Sequence, residues 1–421
     1  MISKAAAKMK KWIEPVTLIY LILITLSACS KTKEIEITSD KLLSIYNATV
    51  KPDMPLGKGV DLYVDYSTCV KLAVENSKFF KSVRPRITGI KMTLYSIKAM
   101  EINKVSDDMD TINEELNNIS EIPYANIKGA IEKIVKSNNQ AILITDGEYW
   151  TNPEGERTDL PYLKPSFEKW IQQGHSIYIK VERYNENYKG EVFSKKRYYF
   201  FFTDDNIVNN IYKEVSKADD FNQDDVSEFK LTSSDIKMTR HAKLNEALSE
   251  DQGSIKKISG FDFLEIQNTW AEIEKYGYPL LDNIELNRSQ NYIINEVSVT
   301  AYNVSDFYLD KQMPIKDITD GFKLINKNGV YALNITKKLA GYLCGKNDKE
   351  NLIRIDFRLN NVACKPIIKE WFTWHSMSKN AIENVSVYES IQQTLQDPLV
   401  MPDSRNSGIV YSVFIKTEAY Y

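Results

Sequence analysis

Two short stretches, far apart in the chain, carry the same kind of chemistry. Asp65-Tyr66-Ser67-Thr68-Cys69 and Thr145-Asp146-Gly147-Glu148 each set a carboxylate beside hydroxyl groups at the end of an apolar run. Carboxylate and hydroxyl oxygens suit a hard divalent cation, which wants oxygen ligands in an octahedron and keeps some of its waters. Asp65 and Ser67, two apart on one turn, can reach a single ion, and Asp146 can join them from an adjacent strand end. Other roles fit the same residues. Aspartate at a strand–helix junction is a good helix cap, and Gly147 permits a turn. Cys69 reads either as a small buried residue in the first turn of a helix or as a thiol activated by that helix terminus. No histidine lies near it in sequence to act as a base; His175, His241 and His375 are scattered.

A third site of chemistry is the thiol of Cys29. Lys4, Lys8, Lys10 and Lys11 precede the uncharged stretch from Val16 to Leu26, which ends in Leu26-Ser27-Ala28-Cys29. The stretch is too short to span a bilayer, which takes a helix of about 20 residues. It resembles the signal of bacterial lipoproteins. That resemblance implies cleavage before Cys29, acylation of its thiol (palmitate or a related chain) and retention at a membrane by two or three acyl chains. The mature chain would then carry a net charge of −6 instead of −3, since residues 1–28 hold four lysines and one glutamate.

The elements that must position Asp65 and Asp146 alternate in type. Val60–Asp65, Ile90–Met100, Ala141–Thr145, Ile177–Val181 and Tyr198–Phe202 read as strands. Cys69–Lys81, the segment after Ser106-Asp107-Asp108, Ile127–Val135, Phe167–Gln173 and Ile207–Val215 read as helices. Strands alternating with helices predict a mostly parallel sheet flanked by helices, with ligands at the carboxyl ends of its strands. The polar run Glu182–Arg197 reads as a hairpin or protruding loop, so that the last strand is free to run antiparallel.

Over residues 58–216 this order resembles the von Willebrand factor type A domain, whose metal-ion-dependent adhesion site uses Asp-x-Ser-x-Ser, a distant Thr and a second Asp before Gly. The resemblance carries the first Asp to Asp65, the first Ser to Ser67 and the strand-end Asp to Asp146. It departs at Cys69, which stands at the second Ser, and at Ala125, which stands at the Thr. Asn126 can offer a carbonyl oxygen in its place, with Thr111 more remote. The resemblance implies Mg²⁺ or Mn²⁺ as the candidate ion and a protein partner whose carboxylate completes its coordination, with Glu148 and Asn126 at the partner-binding rim. No other cofactor is expected.

Residues 1–28 are thus read as a signal peptide, 29–57 as a lipidated tether, 58–216 as the A-like domain and 217–260 as a polar connector. Residues 261–421 form a β-rich, sandwich-like domain, with strands at Asn291–Tyr302, Val330–Thr336, Leu352–Leu359 and Gly408–Lys416 and a helix near Val387–Leu395. Cys344 and Cys364 can pair there or remain thiols. Trp371-Phe372-Thr373-Trp374-His375 is an aromatic cluster that suits core packing, a protein groove or a sugar ring. A chain of 421 residues, 43% hydrophobic and 26% charged, folds into more than one domain, and its slight negative charge excludes nucleic-acid binding by counterion release. Signatures of hydrolases, metalloproteases and nucleotide-binding enzymes are absent. The expectation is a non-enzymatic, lipid-anchored protein of the bacterial cell envelope, periplasmic or surface-exposed, that binds or scaffolds a protein partner. The alternative is a glycan-binding or glycan-processing lipoprotein that uses the C-terminal aromatics.

Overall fold

The computed structural model describes residues 36–420 apart from 51, 120–121, 123, 149–160, 241–242, 246–252, 270–276, 344–349, 376–382 and 405–407. The signal segment, Cys29 and Cys344 lie outside the described residues. Among the described residues no helix is long and apolar enough to cross a membrane.

Seven strands build the first sheet: β1 (Val60–Asp65), β2 (Thr93–Lys98), β3 (Glu101–Ser106), β4 (Gln140–Thr145), β5 (Ser176–Tyr188), β6 (Glu191–Thr203) and β7 (Val226–Leu231). Their order is β3-β2-β1-β4-β6-β5-β7. β1 runs parallel to β2 and to β4, with Val64 paired to Ile144, which brings Asp65 and Thr145 to one edge. Every residue of β4 is buried, as strands covered on both faces require.

The sheet is mixed, and its parallel part is confined to β2, β1 and β4. β6 returns antiparallel against β4 because β5 and β6 form one hairpin. Its turn, Lys189–Gly190, has positive φ at both residues (52° and 85°), the geometry that matches strand twist in a two-residue loop. Each hairpin strand is 13 residues long against six in β4, and pairing with β4 stops at Thr145 opposite Tyr198. Residues 191–197 therefore overhang the carboxyl edge of the parallel strands.

Helices cover both faces. On one lie α2 (Thr68–Asn76), α3 (Lys78–Thr88), α4 (Met109–Asn117) and α7 (Ile211–Val215), around Leu62, Val64, Phe79, Ile144 and Phe201. The single helix expected over Cys69–Lys81 is broken at Ser77, whose Oγ accepts from Phe80 N at 2.8 Å and starts a new helix. The helix expected from Ile207 begins only at Ile211, capped by Asn210. On the other face, α5 (Ile127–Ser137) and α6 (Lys164–Gln172) are joined by the helix Ser386–Gln396 from the far end of the chain. Its Ser390 Oγ accepts from Leu163 N at 3.2 Å, and Asp397 just beyond it pairs with Lys164.

Residues 217–260 are not a connector. Val226 packs on one face of the first sheet and Phe229 and Leu231 on the other, and β7, paired to β5, forms its edge. Met238–Arg240, Lys243–Leu244 and Gly253–Ile258 enter the sheets that follow. Edge strands exposed on one side carry enough polar residues to read as linker.

The C-terminal part is a pair of sheets. Six strands run in the order Gly253–Ile258, Phe261–Thr269, Ile409–Tyr420, Glu350–Cys364, Tyr292–Asn303 and Lys316–Asp317. The second sheet contains Phe322–Lys327, Val330–Ile335, Tyr278–Leu286 and Met238–Arg240. Leu264, Ile284, Leu333, Ile355 and Val413 from both sheets share one core, a sandwich. Phe261–Thr269 and Ile409–Tyr420 run parallel, which separates it from an all-antiparallel immunoglobulin-like layout.

The segment read as a tether holds α1 (Ser39–Thr49), docked on this sandwich. Leu42 and Ile45 pack among Phe263, Leu352 and Phe414. Arg354 Nη1 donates to the carbonyl oxygens of Ile45 and Tyr46 at 3.2 and 3.4 Å, tying the last turn of the helix to the sandwich. Its Nε bonds buried Asp356 at 2.8 Å.

Candidate functional site

Asp65 ends β1 and folds its own turn: Oδ1 accepts from Ser67 N at 2.9 Å. Asp146 does the same after β4, its Oδ1 accepting from Glu148 N at 3.0 Å. Thr145 joins the two strand ends, with Oγ1 donating to Asp65 Oδ2 at 2.8 Å and accepting from Gly147 N at 3.0 Å. Gly147 has φ +69°, and a Cβ there would lie 2.6 Å from Val387 Cγ2, so both backbone and packing call for glycine. Cys69 points back from the first turn of α2, its Sγ accepting from Ser67 Oγ at 3.3 Å.

The hairpin closes this edge. Lys195 Nζ lies 3.2 Å from Asp146 Oδ2, 3.2 Å from Glu148 Oε2 and 3.1 Å from Glu186 Oε2, with the Trp374 ring 4.8 Å away. Two residues along β6, Arg197 donates to Cys69 O at 2.7 Å and to Glu182 Oε2 at 2.7 Å, and it stacks on Tyr184. Tyr199 adds a bond to the same Glu182 oxygen at 3.0 Å. Glu182 and Tyr184 stand directly opposite Arg197 and Lys195 across the hairpin, so the period-two alternation of both strands places these side chains on one face.

Burial sets the protonation states. The Asp65 carboxyl, 1% exposed, is pushed up to about 7, chiefly by burial and then by the neighbouring Asp146 charge; bonds from Thr145 and Ser67 work the other way. Burial raises the Cys69 thiol well above its ordinary value, and Asp65 and Asp146 add to it, so the sulfur is a neutral thiol. Burial disfavours the Lys195 ammonium, but Asp146, Tyr184, Glu148 and Glu186 outweigh it and hold the side chain protonated.

Asp65, Cys69 and Asp146 are buried with ligand atoms all within 4.8 Å of one another, a group that can hold a metal ion on proximity alone. Its chemistry does not suit Mg²⁺ or Mn²⁺. One of the three ligands is a neutral, soft thiol. Both oxygens of Asp65 and both of Asp146 already accept hydrogen bonds. The position facing Asp146 Oδ2 holds an ammonium, which would repel a divalent ion at such range.

Of the residues anticipated from sequence, Asp65, Ser67 and Asp146 lie together at the strand ends, and Glu148, expected at the rim, turns its carboxylate onto buried Lys195. Asn126 caps α5, its Oδ1 accepting from Gly129 N at 2.9 Å. Ala125 is buried, bridged to Ala99. Thr111 bonds Asp108 at the start of α4. Phe372 and Trp374 are buried between the two halves of the molecule, and Trp371 packs on the same cluster. Cys364 is a thiol donating to Lys365 O at 3.3 Å. Thr145, Glu182, Glu186, Lys195 and Arg197 were missed. The alternation Glu182-x-Tyr184-x-Glu186 facing Lys195-x-Arg197-x-Tyr199 is the sequence signal that could have found them. Comparison of the chain with protein-family models, with curated proteins and with solved structures finds no match in any of the three.

Proposed function

We propose that this chain is a lipid-anchored protein of the bacterial cell envelope that recognises or scaffolds a protein partner without turnover, through a von Willebrand A-like first domain. The run β3-β2-β1-β4, with β1 and β4 presenting Asp65 and Asp146 at one edge, supports the A-like reading. The hairpin that follows is this chain's own departure from it. The observation that carries the function is the closure of that edge. Asp65, Cys69 and Asp146 are sealed beneath the hairpin, the thiol is neutral and no histidine faces it among the described residues, so the centre holds shape and leaves no reacting group open. The partner is met on the rim, where the hairpin tip exposes Val192 (67%). Binding of this kind is metal-independent.

Two measurements test the reading. In cells, palmitate labelling and membrane retention are expected to be lost in Cys29→Ser; a wild-type chain that takes up no label removes the anchor. A photo-crosslinker at Val192 is expected to trap one discrete partner, unchanged by EDTA, while one at Ile255 on the sandwich does not. Crosslinking at Val192 that disappears with EDTA, or fails altogether, refutes the metal-independent rim.

A further inference from the structure

We infer that Lys195 is a resident cation: its ammonium stands in for a divalent metal ion at the carboxyl edge of the sheet. This concerns how the centre is held together and does not depend on the partner reading. An ammonium has three N–H donors. Three carboxylate oxygens meet this one at 3.1–3.2 Å, supplied by the β4 end (Asp146, Glu148) and by β5 (Glu186). The face of Trp374 closes another side at 4.8 Å. The lysine side chain is 3% exposed, so it bonds these acids in place of water. Buried like charges repel strongly, and a cation among them is what lets them converge.

The source of the cation follows from topology. Lys195 lies in the part of β6 beyond its pairing with β4, two residues before Arg197, and it is the antiparallel return of the hairpin that carries it over the strand ends. A crossover helix in that position would leave the edge open to an ion from solution. With the ammonium gone, the oxygens of Asp146, Glu148 and Glu186 that faced it are left to close on Mn²⁺ or Mg²⁺.

The test uses the full chain in detergent, wild type and Lys195→Met, with thermal unfolding followed with EDTA and with MnCl₂, and Mn²⁺ uptake read by electron paramagnetic resonance. Wild type is expected to keep one midpoint under both conditions and to take up no Mn²⁺. Lys195→Met is expected to unfold roughly 5–10 °C lower in EDTA and to recover part of that loss with Mn²⁺, binding about one ion. Lys195→Arg keeps the charge and is expected to remain blind to metal. Should Lys195→Met fail to fold, Lys195→Met/Glu186→Gln, which removes one charge of each sign, is expected to fold and to bind Mn²⁺. Stoichiometric Mn²⁺ uptake by wild type overturns the inference, as does indifference of the methionine variants to Mn²⁺.

Discussion

Lys196 faces Arg183 directly across the hairpin, like charge against like, and burial together with that neighbour lowers its ammonium to about 8. In the unfolded chain it titrates near the ordinary lysine value of about 10.4. Below pH 8 both states are protonated and the native chain bears the whole cost of the buried charge. Between pH 8 and about 10.4 the native state sheds its proton first, so stability rises with pH. Lys196→Met is therefore expected to stabilise the protein at pH 7, by about 1 kcal/mol once solvent screening is allowed for, with the gain shrinking by pH 10. Urea unfolding at the two pH values measures it; a gain that grows with pH would refute the argument. At this scale the sequence shows the acids and conceals what neutralises them. Asp65 and Asp146 announce themselves at the ends of apolar strands. Lys195 and Arg197 sit in a run whose polar character reads as exposed loop, although the structure buries them against Glu186 and Glu182. Burial of a charge is a property of its partners, and here the partners stand across the same hairpin, so only its strand register, and not its polar composition, reveals them.

Among elements, the β5–β6 hairpin decides the most. Its turn needs φ > 0 at Lys189 and Gly190, and at Gly190 there is open space but no relief from the backbone. Gly190→Val is expected to cost about 1–2 kcal/mol, because a side chain at left-handed φ strains the main chain. Hydrogen exchange should show the loss concentrated in residues 183–197; a loss spread evenly over the sheet would point elsewhere. The elements easiest to read were those whose burial is uniform or strictly periodic: β1, β4, α5 and the helix Ser386–Gln396 all lie within a few residues of their expected bounds. Those that were missed are short or one-sided. β3 is exposed or half-buried along its whole length, and β7 buries only three of its six residues without a period-two pattern, so neither presents a run of apolar side chains. The break at Ser77 shows a second limit. A serine between two apolar stretches favours a cap only when the next helix has somewhere else to pack, and α3 packs against α7, which lies far along the chain.

At the scale of the whole molecule, the two parts share a hydrophobic core. Ile391 and Leu395 of the C-terminal helix share a core with Trp170, Phe200 and Ile131 of the first sheet, and Tyr198 bonds Phe372 O at 3.0 Å. Residues 58–216 produced alone would lack both β7 and this cover, and are expected to bind a hydrophobic dye and to be cut readily by protease. Ile391→Asp in the intact chain buries an unpaired carboxylate at that seam. It is expected to cost about 3–5 kcal/mol and to loosen both halves in one transition, visible as a common fall in the unfolding midpoint by circular dichroism and tryptophan fluorescence. Two separate transitions would show instead that the halves are independent. The seam was illegible in the sequence because it joins segments more than 150 residues apart through apolar faces that each read as ordinary core.

The docking of α1 on the sandwich, pinned by Arg354, has a geometric corollary. Seven peptide steps separate Cys29 from Glu36, where the described chain begins, and an extended strand of that length reaches at most about 25 Å. If Cys29 is acylated as proposed, that contour limits how far the sandwich, to which α1 is docked, could stand from the lipid headgroups.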